Sequence, residues 1–535
     1  MAEIFRRLFK MSFHPPQDDN SYETLVYPVY NIFFDFFNMN SNIINFKSST
    51  GSGKTRCAPF MFSILSYYEE LKMPFFIMTQ PGKTIIDDKV EDFTNFFGDT
   101  VILETDPKKY LEYYEQQNIT KPIIGLFSPR SLLVLISKAN KKHIKIFNRT
   151  RFCLDEIHER DCHTDAVISE LAENCPKYKI KKHIMMMSAT PDNRIFDVFR
   201  EDGIEIKELH LKEKCLFPIK DVIVKVDNVN NIATTAVNNA IQIIDNMTTN
   251  TSIQGHILIF SSGRQRILEI YDLFLSSIKE FISNEKKREE EKRREFNETM
   301  NLPIANTKRK GKKKKQKEQT PEFLFQKVGI LLDCEEALND EQKFYQYIKE
   351  NVTDKNKLYI LPIPFLSYVS NFQKHIAKSN IPNYDNIIKV VIATNAIESS
   401  ITIDNMAAVI DCGICNTPEF NSLTGITNLK ESQITKQNQM QRRGRVGRVM
   451  PGTAVQITVE GEIIPDYQEP EILTSDISAF ILDLRRIGIR FENLKKLPNE
   501  VPLETVQSKI NILKNIGALD LTTGNLTKKG LKLSS

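Results

Sequence analysis

SSTGSGKT, residues 48–55, joins the short apolar run SNIINFKSS (41–49) to the amphipathic stretch RCAPFMFSILSYYEEL (56–71). A glycine-rich turn between a strand and a helix lets successive backbone N–H groups face phosphate oxygens at the helix N-terminus. On that reading Thr50, Gly51, Ser52 and Gly53 form the cradle, Lys54 reaches the β- and γ-phosphates, and the Thr55 hydroxyl holds Mg²⁺. Ser48 stands where the strict pattern has its first glycine.

A second segment supplies the acid that such a loop needs. RFCLDEIHER (151–160) places Asp155 and Glu156 directly after a short apolar run. That run reads as a strand, and open α/β sheets bind ligands beyond the carboxyl ends of their strands. Asp155 is then the Mg²⁺-binding carboxylate, and Glu156 beside it can orient and deprotonate an attacking water. The two segments together predict hydrolysis of ATP or another nucleoside triphosphate, with Mg²⁺ as cofactor.

Short apolar runs recur on both sides of these segments: FFIMTQP (75–81), IIGLFSP (123–129) and HIMMMSAT (183–190). A further series follows in HILIFSS (256–262), LYILPI (358–363), VVIATN (390–395), AAVIDCG (407–413) and TAVQIT (453–458). Strands alternating with helical stretches mark parallel sheets with crossover helices. The expected fold is α/β, with two tandem parallel-sheet domains over 1–220 and 221–465 and a small winged-helix-like domain over 466–535. A charged insertion is expected at about 281–355, because EKKREEEKRRE (285–295) suits an exposed helix and the lysine-rich tract after it cannot bury a core.

Composition bounds the classes of function. Hydrophobic residues at 41% and charged residues at 26% are the proportions of a soluble globular chain. The absence of a long apolar run or a signal-peptide pattern predicts an intracellular protein with no membrane span. The eight cysteines lack the spacing of a disulfide framework, and the CxxC of Cys412 and Cys415 has no second pair with which to hold zinc. Net charge is +4, but KRKGKKKKQK (308–317) holds eight basic residues, so the remainder carries −4. Any nucleic-acid surface must therefore be local.

The motifs, in their order and spacing, resemble those of the superfamily-2 DExH-box RNA helicases, most of all the DEAH-type enzymes and the poxvirus nucleoside triphosphate phosphohydrolase II group. DEIHER is similar to the DEAHER segment of that family, Ser188-Ala189-Thr190 to its motif III, IATNAIESSITIDNM (392–406) to motif V and QRRGRVGR (441–448) to motif VI. The resemblance implies two RecA-like domains and ATP-dependent, 3′→5′ unwinding of RNA without sequence specificity. It places His158 at the seam between the domains, hydrogen-bonding across it. It gives Ser188 and Thr190 a coupling role, and it makes Gln441, Arg445 and Arg448 catalytic groups acting on the γ-phosphate. Thr402 and Asp404 would face the nucleotide. Thr79, Gln80 and Lys83 of TQPGK, Ser128 and Arg130 of SPR, and Thr394 and Asn395 would contact RNA. The segment PEFNSLTGITNLKESQIT (418–435) resembles the family's strand-separating hairpin. The chain ends at Ser535 without the helical domain and OB-like fold that follow in family members, so a protein partner covering the RNA groove is expected. Two alternatives stay open: an RNA-clamping scaffold with little unwinding, and a DNA translocase.

Overall fold

The computed structural model describes residues 42–47, 55, 58–60, 62–63, 66, 72–116, 118–142, 148–177, 183–188, 192–210, 217–249, 255–300, 330–355, 357–366, 369–395, 403, 405–421 and 426–534. The chain divides into two compact units. One comprises Met1–Lys214, Pro418–Lys430 and Tyr467–Ser535, and the other Cys215–Thr417 and Glu431–Asp466.

The first unit is built on seven parallel strands: β1 (Asn42–Lys47), β2 (Phe75–Thr79), β3 (Ile102–Glu104), β4 (Ile123–Phe127), β5 (Thr150–Leu154), β6 (His183–Ser188) and β7 (Ile206–His210). Their spatial order is β3-β4-β2-β5-β6-β1-β7. Strands β2, β4, β5 and β6 are buried along their whole length, which is why they read as continuous apolar runs rather than alternating ones. Helices enter with their own signals. Asp106 accepts a hydrogen bond from the Lys108 N–H at 2.8 Å and precedes Pro107 at the first position of the helix Pro107–Glu115.

The second unit carries β8 (Ile219–Val226), β9 (His256–Phe260), β10 (Ile330–Leu331), β11 (Tyr359–Phe365), β12 (Ile387–Ala393), β13 (Met406–Asp411) and β16 (Gly452–Val459), all parallel. Their order is β10-β11-β12-β9-β13-β16-β8. Two prolines sit inside β11, and the ladder shows how they are tolerated. The Ile360 carbonyl bonds Leu332 N on the β10 side, and Pro362 and Pro364 share that side but lie beyond the end of the two-residue β10. No ladder donor is needed there. Between β13 and β16, β14 (Ile414–Asn421) and β15 (Ile426–Gln433) form a separate two-stranded sheet, the expected hairpin.

Two boundaries differ from expectation. The expected insertion of 281–355 is too wide at its C-terminal side. Strand β10 and the helix Glu341–Asn351 belong to the second unit, with Leu338, Phe344 and Ile348 buried in its apolar core. EKKREEEKRRE instead continues the helix Arg264–Met300, and the lysine tract lies outside the described residues. The C-terminal segment has the helices Ser478–Ile487 and Leu503–Asn515 and a single antiparallel bridge, Leu519 to Leu526. It does not make a core of its own. Ile477, Phe480, Ile481 and Leu484 share one apolar cluster with Leu132, Ile136 and Ile168, because two short helices bury too little surface alone.

Candidate nucleotide site

The functional side chains of the first unit gather where β1, β5 and β6 end. Thr55 Oγ1 donates to Asp155 Oδ2 at 2.8 Å. The same oxygen accepts from Gln80 Nε2 at 3.1 Å, and the Asp155 N–H donates to Thr79 Oγ1 at 3.2 Å. Asp155 Oδ1 accepts from the Glu156 N–H at 3.0 Å. The carboxylate is thus held on both oxygens while only 6% exposed. Buried charges need such partners, since desolvation otherwise neutralises them. Residues 48–54, and with them Thr50, Gly51, Ser52, Gly53 and Lys54, lie outside the described residues.

Glu156 adopts left-handed backbone angles, with φ of 52°, and Arg160 closes the same turn at φ of 48°. Each such non-glycine residue costs about 1–3 kcal/mol, which surrounding contacts must offset. His158 supplies one of those contacts. Its Nδ1 lies 3.2 Å from both Glu156 Oε2 and Ser188 Oγ, so the imidazole ties the second carboxylate to the end of β6. Both of these partners belong to the first unit. Thr190 lies outside the described residues.

Three residues expected at RNA make contacts within the first unit. Thr79 and Gln80 are 4% and 3% exposed, and their side chains brace Asp155 instead of facing a surface. Arg130 grips Asp483 through Nε and Nη2, at 2.6 and 2.5 Å, and His163 Nε2 meets the same carboxylate at 3.0 Å. Burial pushes the Asp483 carboxyl up, yet the hydrogen bonds from His163 and Arg130 outweigh it and hold the group down at about 2. The Ser128 hydroxyl accepts from the Ser131 N–H at 3.2 Å, in the first turn of the helix Pro129–Lys142. Lys83 is exposed at the start of the helix Lys83–Phe97.

In the second unit a capping box of Thr435 and Asn438 starts the helix Lys436–Arg443, which carries Gln441. Arg442 is fully buried, bonded to Asp411 Oδ1 at 2.7 Å, with its guanidinium carbon 4.8 Å from the centre of the Phe260 ring. Gly447 turns the chain at φ of 76°, and a Cβ there would lie 2.7 Å from Ile219 Cγ1. A basic helix face has no need of that glycine, but the turn between Arg445 and Arg448 does. Burial, and after it the neighbouring charge of Arg445, lowers the Arg448 guanidinium to about 10. The negative charge of a bound anion would offset both effects. Thr394 and Asn395 follow the end of β12, with Asn395 exposed, while Thr402 and Asp404 lie outside the described residues.

The last residue of the acidic motif holds a structural position that the motif alone does not specify. Arg160, the last residue of DEIHER, is 2% exposed and bonds Asp165, Asp192 and Asn499. The signal is a cation closing an acidic motif; Asp165 lies five residues on, but Asp192 and Asn499 are distant in sequence and no local pattern pairs them with it.

Two seven-stranded parallel sheets, with the Thr55 hydroxyl meeting the Asp155 carboxylate at the carboxyl edge of the first, define an α/β protein built on two parallel-sheet units. The DEAD/DEAH box helicase family model matches residues 34–198, and the helicase conserved C-terminal domain model matches residues 343–450. The chain belongs to the DEAD/DEAH box helicases. It is 38% identical over 154 residues to the DExH-box ATP-dependent RNA helicase DExH3 of Arabidopsis thaliana, a match covering 28% of this chain and 13% of the relative. It is 33% identical over 183 residues to the ATP-dependent DNA/RNA helicase DHX36 of Homo sapiens, covering 34% of this chain and 18% of the relative. The crystal structure of Escherichia coli DEAH/RHA helicase HrpB overlays 96% of this chain on 52% of its own, with a TM-score of 0.59 at 17% identity. The chain therefore spans about half the length of that neighbour, and its matches cover smaller shares of the two relatives. Among the described residues no helix is long and apolar enough to cross a membrane.

Proposed function

We propose that the chain is an ATP-dependent RNA helicase, in which nucleoside triphosphate hydrolysis drives 3′→5′ movement along RNA and separation of duplexes. The observation that supports this most is the meeting of Thr55 with Asp155, next to Glu156, at the end of a parallel sheet in a chain of this family. The donor set fits Mg²⁺: hard oxygens from a hydroxyl and a buried carboxylate converge within hydrogen-bond distance of each other. Thr55 and Asp155 would hold the ion, which when bound would neutralise phosphate charge.

Glu156 takes the proton of the attacking water, and His158 keeps its carboxylate oriented. Because the same imidazole reaches Ser188, a shift at the end of β6 is felt at the base. This supports the coupling role of His158 and Ser188 within the first unit. Gln441, Arg445 and Arg448 act on the γ-phosphate, as motif VI residues of the family, with the crowded Arg445 and Arg448 charges suited to an anion. Lys83, Asn395 and the β14–β15 hairpin are the candidates for RNA, gripping phosphates and sugars rather than bases.

The test is strand displacement by the purified chain on matched RNA, DNA and hybrid duplexes with a 3′ overhang, with ATP and Mg²⁺. Displacement of RNA duplexes in an ATP-dependent manner supports the reading. Displacement of DNA alone assigns a DNA translocase, and RNA binding without hydrolysis or displacement assigns a scaffold.

A further inference from the structure

The DEIH turn is fixed at its far end by a residue that touches neither nucleotide-binding group described above. Arg160 sits in a left-handed conformation immediately after the turn Ile157–Glu159, and its side chain is buried. Its Nε and Nη2 grip the two oxygens of Asp165 at 2.8 and 3.0 Å, which locks it to the helix Cys162–Lys177. Its Nη1 meets Asp192 Oδ2 at 2.6 Å, in the segment that follows the Ser188-Ala189-Thr190 motif. Its Nη2 also reaches Asn499 Oδ1 at 2.5 Å, in the C-terminal segment. The backbone joins in, because the Arg160 carbonyl accepts from the Glu471 N–H at 3.1 Å and Glu471 Oε2 accepts from the Cys162 N–H at 2.9 Å.

One planar guanidinium thus joins a neighbouring helix and two remote parts of the first unit at the exit of the loop that carries Asp155, Glu156 and His158. Its fork geometry suits this task, since a bidentate carboxylate fixes the plane and leaves the remaining N–H groups aimed at fixed points. A displacement of the C-terminal segment that moves Asn499 or Glu471 removes a contact from the Arg160 side chain or carbonyl, and so loosens the strained turn that carries Glu156.

We infer that Arg160 is a positioning residue through which the C-terminal segment, by way of Asn499, sets the geometry of the DEIH turn and hence the turnover rate. This rests on the hydrolytic reading proposed above. Asn499 is the place to test it, because the segment keeps other anchors when that contact is lost: Arg130 to Asp483, Ser137 Oγ to the Ile487 carbonyl at 2.7 Å, and Lys496 to Asp202.

The experiment compares wild type, Asn499→Ala and Asn499→Asp in the full chain by steady-state ATPase and by hydrogen exchange of the peptide spanning 154–162. Asn499→Ala is expected to lower kcat by about fivefold, with KM for ATP within about twofold, and to raise exchange in that peptide. Asn499→Asp retains an acceptor oxygen and should return both readouts toward wild type. Unchanged exchange at 154–162 in Asn499→Ala would overturn the inference whatever the activity. So would raised exchange with unchanged kcat in an active wild type. A wild type without ATPase activity would instead defeat the hydrolytic reading, while the exchange arm still decides whether Asn499 holds the turn.

Discussion

Thr55 and Asp155, a hundred positions apart in the chain, meet through a hydrogen bond of 2.8 Å from Oγ1 to Oδ2. One follows the glycine-rich loop after β1 and the other ends β5, with β6 lying between these strands in the sheet. The pair joins the end of the glycine-rich segment to the acidic motif.

That pairing makes a prediction about metal-dependent binding. Asp155→Asn keeps the shape and an acceptor for Thr55 but removes the charge, so ATP turnover should fall by on the order of 10²-fold or more. Titration of a fluorescent ATP analogue with and without a chelator checks the cause. Wild type should bind more weakly when Mg²⁺ is removed, and Asp155→Asn should show little difference between the two conditions.

His158→Ala should weaken coupling more than chemistry. The lost hydrogen bond to Ser188 is worth roughly 1 kcal/mol, or about a five- to tenfold loss in basal ATPase if it and the contact to Glu156 are felt in the transition state. Stimulation by RNA and duplex unwinding should drop further, because the link from Ser188 to Glu156 is gone. ATPase and unwinding assays on one preparation measure the ratio, and an equal decline in both would remove the coupling role.

Asp483 predicts a pH dependence of stability. Its folded carboxyl, at about 2, lies below the ordinary value of about 4, so its stabilising contribution is present above about pH 4. That contribution is lost as pH falls toward about 2. Asp483→Asn should therefore melt at a lower temperature than wild type at neutral pH, with the gap closing as pH falls through this window. Thermal melts at a series of pH values check it, and a constant gap would show that Arg130 and His163 do not hold the carboxylate charged.

Much of the fold was legible in the sequence because both sheets are parallel and covered, so their strands form dense apolar runs. The ten runs identified, from SNIINF to TAVQIT, each contain a strand. The strands missed are those without that signature. β3 is three half-buried residues, β7 breaks its apolar residues with Lys207 and Glu208, β8 alternates with exposed Lys220, Asp221 and Ile223, and β10 is two residues long. The site was less legible than the fold. Asp155 and Glu156 announce themselves by position, but the orientation of a side chain at a strand end depends on its neighbours. Thr79 and Gln80 turn toward Asp155 because β2 lies directly beside β5. Arg130 is taken up by Asp483, which lies 353 residues away, and no local pattern encodes such a pairing.

The central claim is that Glu156 activates water in a nucleotide site built on Thr55 and Asp155. Its most direct test is Glu156→Gln, measured for ATP affinity by equilibrium binding and for turnover by steady-state ATPase in the presence of RNA. The substitution preserves size and removes the base, so affinity should stay within about threefold while turnover falls by ~10²–10⁴-fold. Turnover within about threefold of wild type would contradict the mechanism.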